Sequence, residues 1–78
     1  MLYCVYAIKS LTHDYIYVGI TNSVPRRFGQ HNRGKEQTTR PYRPFRLIYT
    51  ENCPDRPAAR LLEKYFKSGC GKEWLKKL

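Results

Sequence analysis

The chain has 78 residues, with 15 Lys and Arg against 6 Asp and Glu, and a formal net charge of +9 at pH 7. That length predicts one small domain, spanning 1–78, with a thin core. A hydrophobic content of 41% argues against a disordered tail, and no run approaches the roughly 20 apolar residues of a membrane span.

Leu2–Lys9 is rich in Tyr, Val and Ile and reads as a strand. It lacks the basic flank and small-residue cleavage site of a signal peptide. Ser10–Asp14 is a polar turn, and Tyr15–Ile20 a second strand, with Gly19 where close backbone approach or a bend is useful. The short connection predicts an antiparallel hairpin. A loop centred between Leu11 and Thr12 sets Ile8 opposite Tyr15 and Tyr6 opposite Tyr17. A slip of one residue would send the two tyrosines to opposite faces.

Asn22 or Ser23 can cap a helix over Val24–Asn32, with Pro25 in its first turn and a stop near Gly34. Val24, Phe28 and His31 lie along one stripe, and Arg27 and His31 are neighbours at i, i+4. Gly34–Arg46 is a basic loop, and Phe45–Thr50 a third strand. A further helix starts at Asn52 or Asp55, with Ala58, Leu61, Leu62, Tyr65 and Phe66 as its buried stripe. Ser68–Gly71 breaks it, and Lys72–Leu78 forms a last short helix with Trp74, Leu75 and Leu78 inward. The order β-β-α-β-α-α predicts an α+β sandwich, a small three-stranded antiparallel sheet flanked by helices.

Basic charge is clustered. Residues 26–46 hold seven Lys and Arg and a single acid, Glu36, and residues 64–78 hold five Lys. Such clusters are the footprint of a phosphate-bearing partner, here nucleic acid, although a solubility charge has the same composition. An anionic membrane fits less well, because no long basic amphipathic helix is present. Cys4, Cys53 and Cys70 are odd in number and widely spaced, so they form neither a disulfide framework nor a zinc site. Free thiols fit a reducing cytosol.

Few groups can do chemistry. Tyr6 and Tyr17 are either ordinary strand tyrosines or one wall of a site. Arg27 can hold a phosphate bidentately, and His31 can exchange a proton near neutral pH. Glu63 is either the partner of Lys67 in a helix ion pair or a ligand for Mg²⁺, which binds one or two carboxylates with waters and substrate phosphate.

Cys4-Val5-Tyr6, Tyr17-Val18-Gly19, Arg26-Arg27-Phe28 with His31-Asn32, Arg43-Pro44-Phe45, and Ala59 with Leu62-Glu63-Lys64 follow one another in that order. Together with Lys67-Ser68-Gly69 and the closing Trp74-Leu75-Lys76-Lys77, they resemble the GIY-YIG nuclease domain. The likeness is to its small stand-alone branch, similar to the N-terminal nuclease domain of the C component of the excision nuclease. The resemblance implies a divalent-metal-dependent DNA endonuclease of repair or processing, cytoplasmic, with one Mg²⁺ or Mn²⁺. Tyr6 and Tyr17 would position or deprotonate the attacking water, assisted by His31. Arg27 would stabilise phosphoryl charge, and Glu63 would hold the metal. The products would be a 5′-phosphate and a 3′-hydroxyl. Arg26, Arg33, Lys35, Arg40, Arg43 and Lys67 are the expected nucleic-acid contacts. RNA is the alternative substrate, and a non-cleaving nucleic-acid-binding module is the alternative function. A protein partner would supply targeting.

The chain departs from the motif at Cys4 and Val5, which stand for its glycine and isoleucine. Repair-type domains carry a lysine where this chain has Ile20 and a tyrosine where it has His31.

Overall fold

The computed structural model describes residues 2–78. Its elements are β1 (Tyr3–Ser10), β2 (Ile16–Thr21), α1 (Val24–Asn32), β3 (Phe45–Cys53), α2 (Arg56–Lys67) and α3 (Gly69–Lys76), with a 3-10 turn at Arg40–Tyr42. The strands pair antiparallel in the order β2-β1-β3. This is the α+β arrangement that the β-β-α-β-α-α order predicts.

The central strand β1 is covered on both faces. Val5 and Ala7 pack with Ile16 and Val18 beneath Ala59, Phe66 and Leu75 of α2 and α3. Tyr6 and Ile8 point the other way and pack with Phe45, Tyr17, and Val24 and Phe28 of α1. The sheet therefore separates α1 from the α2–α3 pair, and each strand sends alternate residues to each layer.

The hairpin register differs from the expected one by two residues. Tyr6 faces Gly19, and Ile8 faces Tyr17. The turn is the cause. Ser10 N donates to Tyr15 O at 2.9 Å, and Ser10 Oγ accepts the backbone N–H groups of Thr12 at 3.1 Å and His13 at 3.0 Å. The loop is thereby centred between Thr12 and His13. An even offset preserves side-chain parity, so Tyr6 and Tyr17 still share a face, as diagonal neighbours.

In α2 the inward stripe is Ala59 and Phe66, supported by Ala58 and Leu62. Leu61, expected inside, is 73% exposed, and Tyr65 is also exposed. The Asp55 carboxylate caps the helix by accepting the Ala58 N–H at 2.9 Å. The cap fixes where the helix starts, and packing on a three-stranded sheet covers only a narrow stripe of it.

The expected break after α2 is present but narrows to Ser68, and α3 starts at Gly69 rather than Lys72. Ser68 ends α2 and caps α3, its Oγ accepting the Gly71 N–H at 3.3 Å. A Cβ at Gly71 would lie 2.2 Å from Tyr65 O and 2.5 Å from Phe66 Cα. The glycine therefore serves close helix approach and does not interrupt a helix. Of the three residues expected inward on α3, only Leu75 is buried, while Trp74 and Leu78 are exposed. The third strand also runs past Thr50 to Cys53.

Candidate active site

Tyr6 from β1, Tyr17 from β2, and Arg27 and His31 from α1 converge on one face of the sheet. Helix α1 is locked there by Asn32, whose Oδ1 accepts the Phe45 N–H at 2.6 Å and whose Nδ2 donates to Phe45 O at 3.4 Å. This clamp ties the end of α1 to the start of β3. It holds the His31 ring 5.8 Å from the Tyr6 ring and 4.9 Å from the Tyr17 ring, centroid to centroid.

His31 is fully buried, and both ring nitrogens are used. Nε2 lies 2.8 Å from Tyr6 Oη, and Nδ1 lies 2.8 Å from Thr39 Oγ1. Thr39, also fully buried, donates to Glu36 O at 3.5 Å. A carbonyl oxygen only accepts, which sets the polarity of the chain. Thr39 donates to Glu36 O and accepts from His31 Nδ1–H, and His31 Nε2 accepts from the Tyr6 hydroxyl. The resting imidazole is thus an acceptor for the phenolic proton.

Gly19 makes this arrangement possible. A Cβ there would stand 2.7 Å from Tyr6 Oη, 2.9 Å from Tyr6 Cζ and 3.0 Å from Tyr17 Cε2. The second motif needs a glycine because the Tyr6 phenol lies across its backbone.

Arg27 is held in place by two neighbours. Nη1 donates to Gln30 Oε1 at 2.9 Å, and Nη2 donates to Glu36 Oε2 at 3.2 Å. The other carboxylate oxygen of Glu36 accepts the Thr38 N–H at 3.4 Å. Glu36 therefore touches the site twice, with its side chain on Arg27 and with its carbonyl at the end of the Thr39–His31–Tyr6 chain.

The electrostatics follow from this packing. Burial pushes the Tyr6 phenol well above its ordinary value, with the neighbouring Tyr17 adding to the rise and Arg27 opposing it. Burial lowers His31, Arg27 lowers it further, and Glu36 partly offsets both. Near pH 7 both groups are neutral. For Arg27, burial works against the charge, but the Glu36 hydrogen bond and the two phenols outweigh it and raise its pKa. Glu36 is lowered by the hydrogen bonds from Arg27 and from the Thr38 N–H.

Glu63 comes from a different element than this group. It lies on α2, in the layer across the sheet, and pairs with Lys67 at 3.2 Å. Its side chain is largely covered, with 20% exposure. Among the described residues no cluster of three or more His, Cys, Asp and Glu could hold a metal. The donor set fits only a hard cation such as Mg²⁺ or Mn²⁺ on one carboxylate, completed by waters and substrate phosphate. The Lys67 contact is an i, i+4 pair worth only ~0.3–0.5 kcal/mol, so a cation can replace it.

Of the expected nucleic-acid contacts, Arg33, Lys35, Arg40 and Arg43 are exposed on the segment after α1, and Arg26 is exposed on α1 itself. Lys67 belongs to the α2 layer. Sequence reasoning missed Thr39, Gln30 and Glu36 as parts of the site. Glu36 carried a signal, as the sole acid in a basic stretch. Thr39 carried none, since its role depends on a loop folding back onto His31.

A family model described as the GIY-YIG catalytic domain matches residues 2–76. A UPF0213 protein of Bacillus cereus is 36% identical over 66 residues, 83% of this chain and 68% of that protein. A UPF0213 protein of Desulfotalea psychrophila is 39% identical over 54 residues, covering 67% of this chain and 49% of the relative. The solution NMR structure of a UPF0213 protein from Bacillus halodurans aligns over 99% of this chain and 84% of its own, with a TM-score of 0.59 and 34% identity.

Proposed function

The chain belongs to the GIY-YIG family of nuclease domains, and from that premise we propose that it is a divalent-metal-dependent endonuclease hydrolysing DNA phosphodiester bonds in repair or processing. The observation that carries this reading is the convergence of Tyr6, Tyr17, Arg27 and His31 on one sheet face. An ordinary tyrosine-rich core would not bury a histidine bonded at both nitrogens beside a guanidinium.

Burial divides the labour. Tyr17 and Arg27 are half-buried and form the front of the site, whereas Tyr6, His31 and Thr39 are buried behind them. Arg27 takes the phosphoryl oxygens in its bidentate fork, which requires the phosphate to replace Glu36 on Nη2. Tyr17 orients the attacking water. Tyr6 and His31 position this front wall, their hydrogen bond holding the Tyr6 ring beside Tyr17. Glu63 would hold the divalent ion from α2, whose first residue Arg56 lines one cleft with Arg27 past the end of the sheet, and the bound ion would stabilise charge on the leaving 3′ oxygen. The exposed Arg26, Arg33, Lys35, Arg40 and Arg43 would follow the DNA backbone.

The test is a cleavage panel of duplex, flapped and branched DNA, and matching RNA, with Mg²⁺ or Mn²⁺. Metal-dependent cleavage of DNA that disappears in Arg27→Ala, Tyr17→Phe and Glu63→Ala is the expected result. Cleavage that survives all three substitutions overturns the assignment. Salt-sensitive binding with no product would leave a non-cleaving module.

A further inference from the structure

Arg26 and Arg27 of α1 and Arg56 of α2 line one polar cleft of about 300 Å³, together with Tyr3, Ile20, Thr21 and Asn22. The three guanidiniums come from both layers of the fold, so the cleft wraps past the end of the sheet. Arg27 is a wall of this cleft and also a member of the Tyr6–Tyr17–His31 group. Whatever fills the cleft therefore meets the guanidinium that faces the reacting phosphate.

We propose that this cleft is a second phosphate subsite, in which Arg26 and Arg56 hold the backbone phosphate next to the scissile one in the same nucleic-acid strand. The subsite rests on the reading of the chain as a DNA-acting nuclease. Its chemistry selects an anion. Among the described residues, no carboxylate lines the cleft. The ion pairs among them engage Arg27, Lys67 and Lys76, and neither Arg26 nor Arg56 is in one. Asp55, beside Arg56 in sequence, turns its carboxylate to the cap of α2.

The two cations are also held before any ligand arrives. Arg26 Nη2 donates to Asn22 Oδ1 at 2.8 Å. The Arg56 guanidinium carbon sits 5.6 Å from the centre of the Tyr3 ring, a cation–π distance. Placing the side chains in advance lowers the entropy lost on binding. Ile20 supplies apolar surface for the sugar or base attached to that phosphate.

The experiment measures binding without cleavage. Fluorescence anisotropy follows a labelled DNA flap in EDTA, over a salt series, for the native chain, Arg56→Gln, Arg26→Gln and Lys77→Gln. Each phosphate contact contributes about 0.7–0.9 to the slope of log affinity against log salt. Arg56→Gln and Arg26→Gln are expected to weaken binding several-fold and to lower the slope by about one contact each. Lys77→Gln removes the same charge from the end of α3 and is expected to keep the native slope. Equal losses in all three variants, or native slopes in the two arginine variants, overturn the subsite. Arginine-dependent binding by a protein that cuts nothing with any metal supports the subsite and overturns the nuclease reading. Far-UV circular dichroism verifies that the variants are folded.

Discussion

The Tyr6 hydroxyl and His31 Nε2 lie 2.8 Å apart in the interior, on elements separated by 25 positions in the chain. The bond joins the first motif to α1, and through Nδ1 it reaches Thr39. Tyr6→Phe removes the donor and leaves a buried acceptor without a partner. Such a loss costs about 1–3 kcal/mol. Urea unfolding should show that decrease, and a Tyr6→Phe/His31→Phe double-mutant cycle should show the two losses to be non-additive.

Gly19→Ala should disturb the site through one atom. The new Cβ would meet the Tyr6 phenol at 2.7 and 2.9 Å, and the ring cannot move without leaving His31. Overpacking of this kind costs about 1–3 kcal/mol. Thermal unfolding should register the cost, and the NMR signals of the His31 ring should shift with it.

Glu36→Gln should release Arg27. The pair is partly exposed, at 27% and 32%, and its N–O distance is 3.2 Å. Pairs of this class are worth about 0.2–1 kcal/mol. Removing the competitor should therefore tighten binding of a DNA phosphate at Arg27 by about 1.4- to 5-fold. Anisotropy at low salt measures this. Weaker binding would instead show that Glu36 helps Arg27 meet the substrate.

The pH dependence of stability should carry a His31 signature. Its pKa is lowered in the folded chain, first by burial and then by Arg27. Between that lowered value and the ordinary value near 6.5, the unfolded chain binds more protons than the folded one, so stability rises with pH. The rise is complete above about pH 6.5, and the contribution declines as pH falls below it. Thermal melts from pH 4.5 to 7.5 should show this slope, and His31→Gln should flatten it.

Glu63→Gln separates metal binding from stability. Its Lys67 contact is an i, i+4 pair, so the fold should lose at most ~0.5 kcal/mol. Mn²⁺ affinity in the presence of an uncleavable DNA analogue should fall at least tenfold. Unchanged Mn²⁺ affinity would remove Glu63 from the metal site.

Hydrophobic periodicity and turn chemistry determined the element order, the antiparallel hairpin and the α+β class, because each depends on local spacing. The motif residues likewise determined the four groups that converge. The register changed by two residues, because Ser10 organised the turn through bonds that no composition rule predicts. The common face of Tyr6 and Tyr17 survived that shift, since side-chain direction depends only on parity. Helix α2 kept Phe66 of its expected stripe and turned Ala59 inward while Leu61 and Tyr65 faced out, because packing on a narrow sheet covers only part of an apolar face. Gly71 looked like a breaker until the neighbouring helix backbone occupied the space of a side chain. Only tertiary structure brought Glu36 and Thr39 to Arg27 and His31. A loop position acquires its role from what the chain folds it against, and local sequence holds no record of that distance.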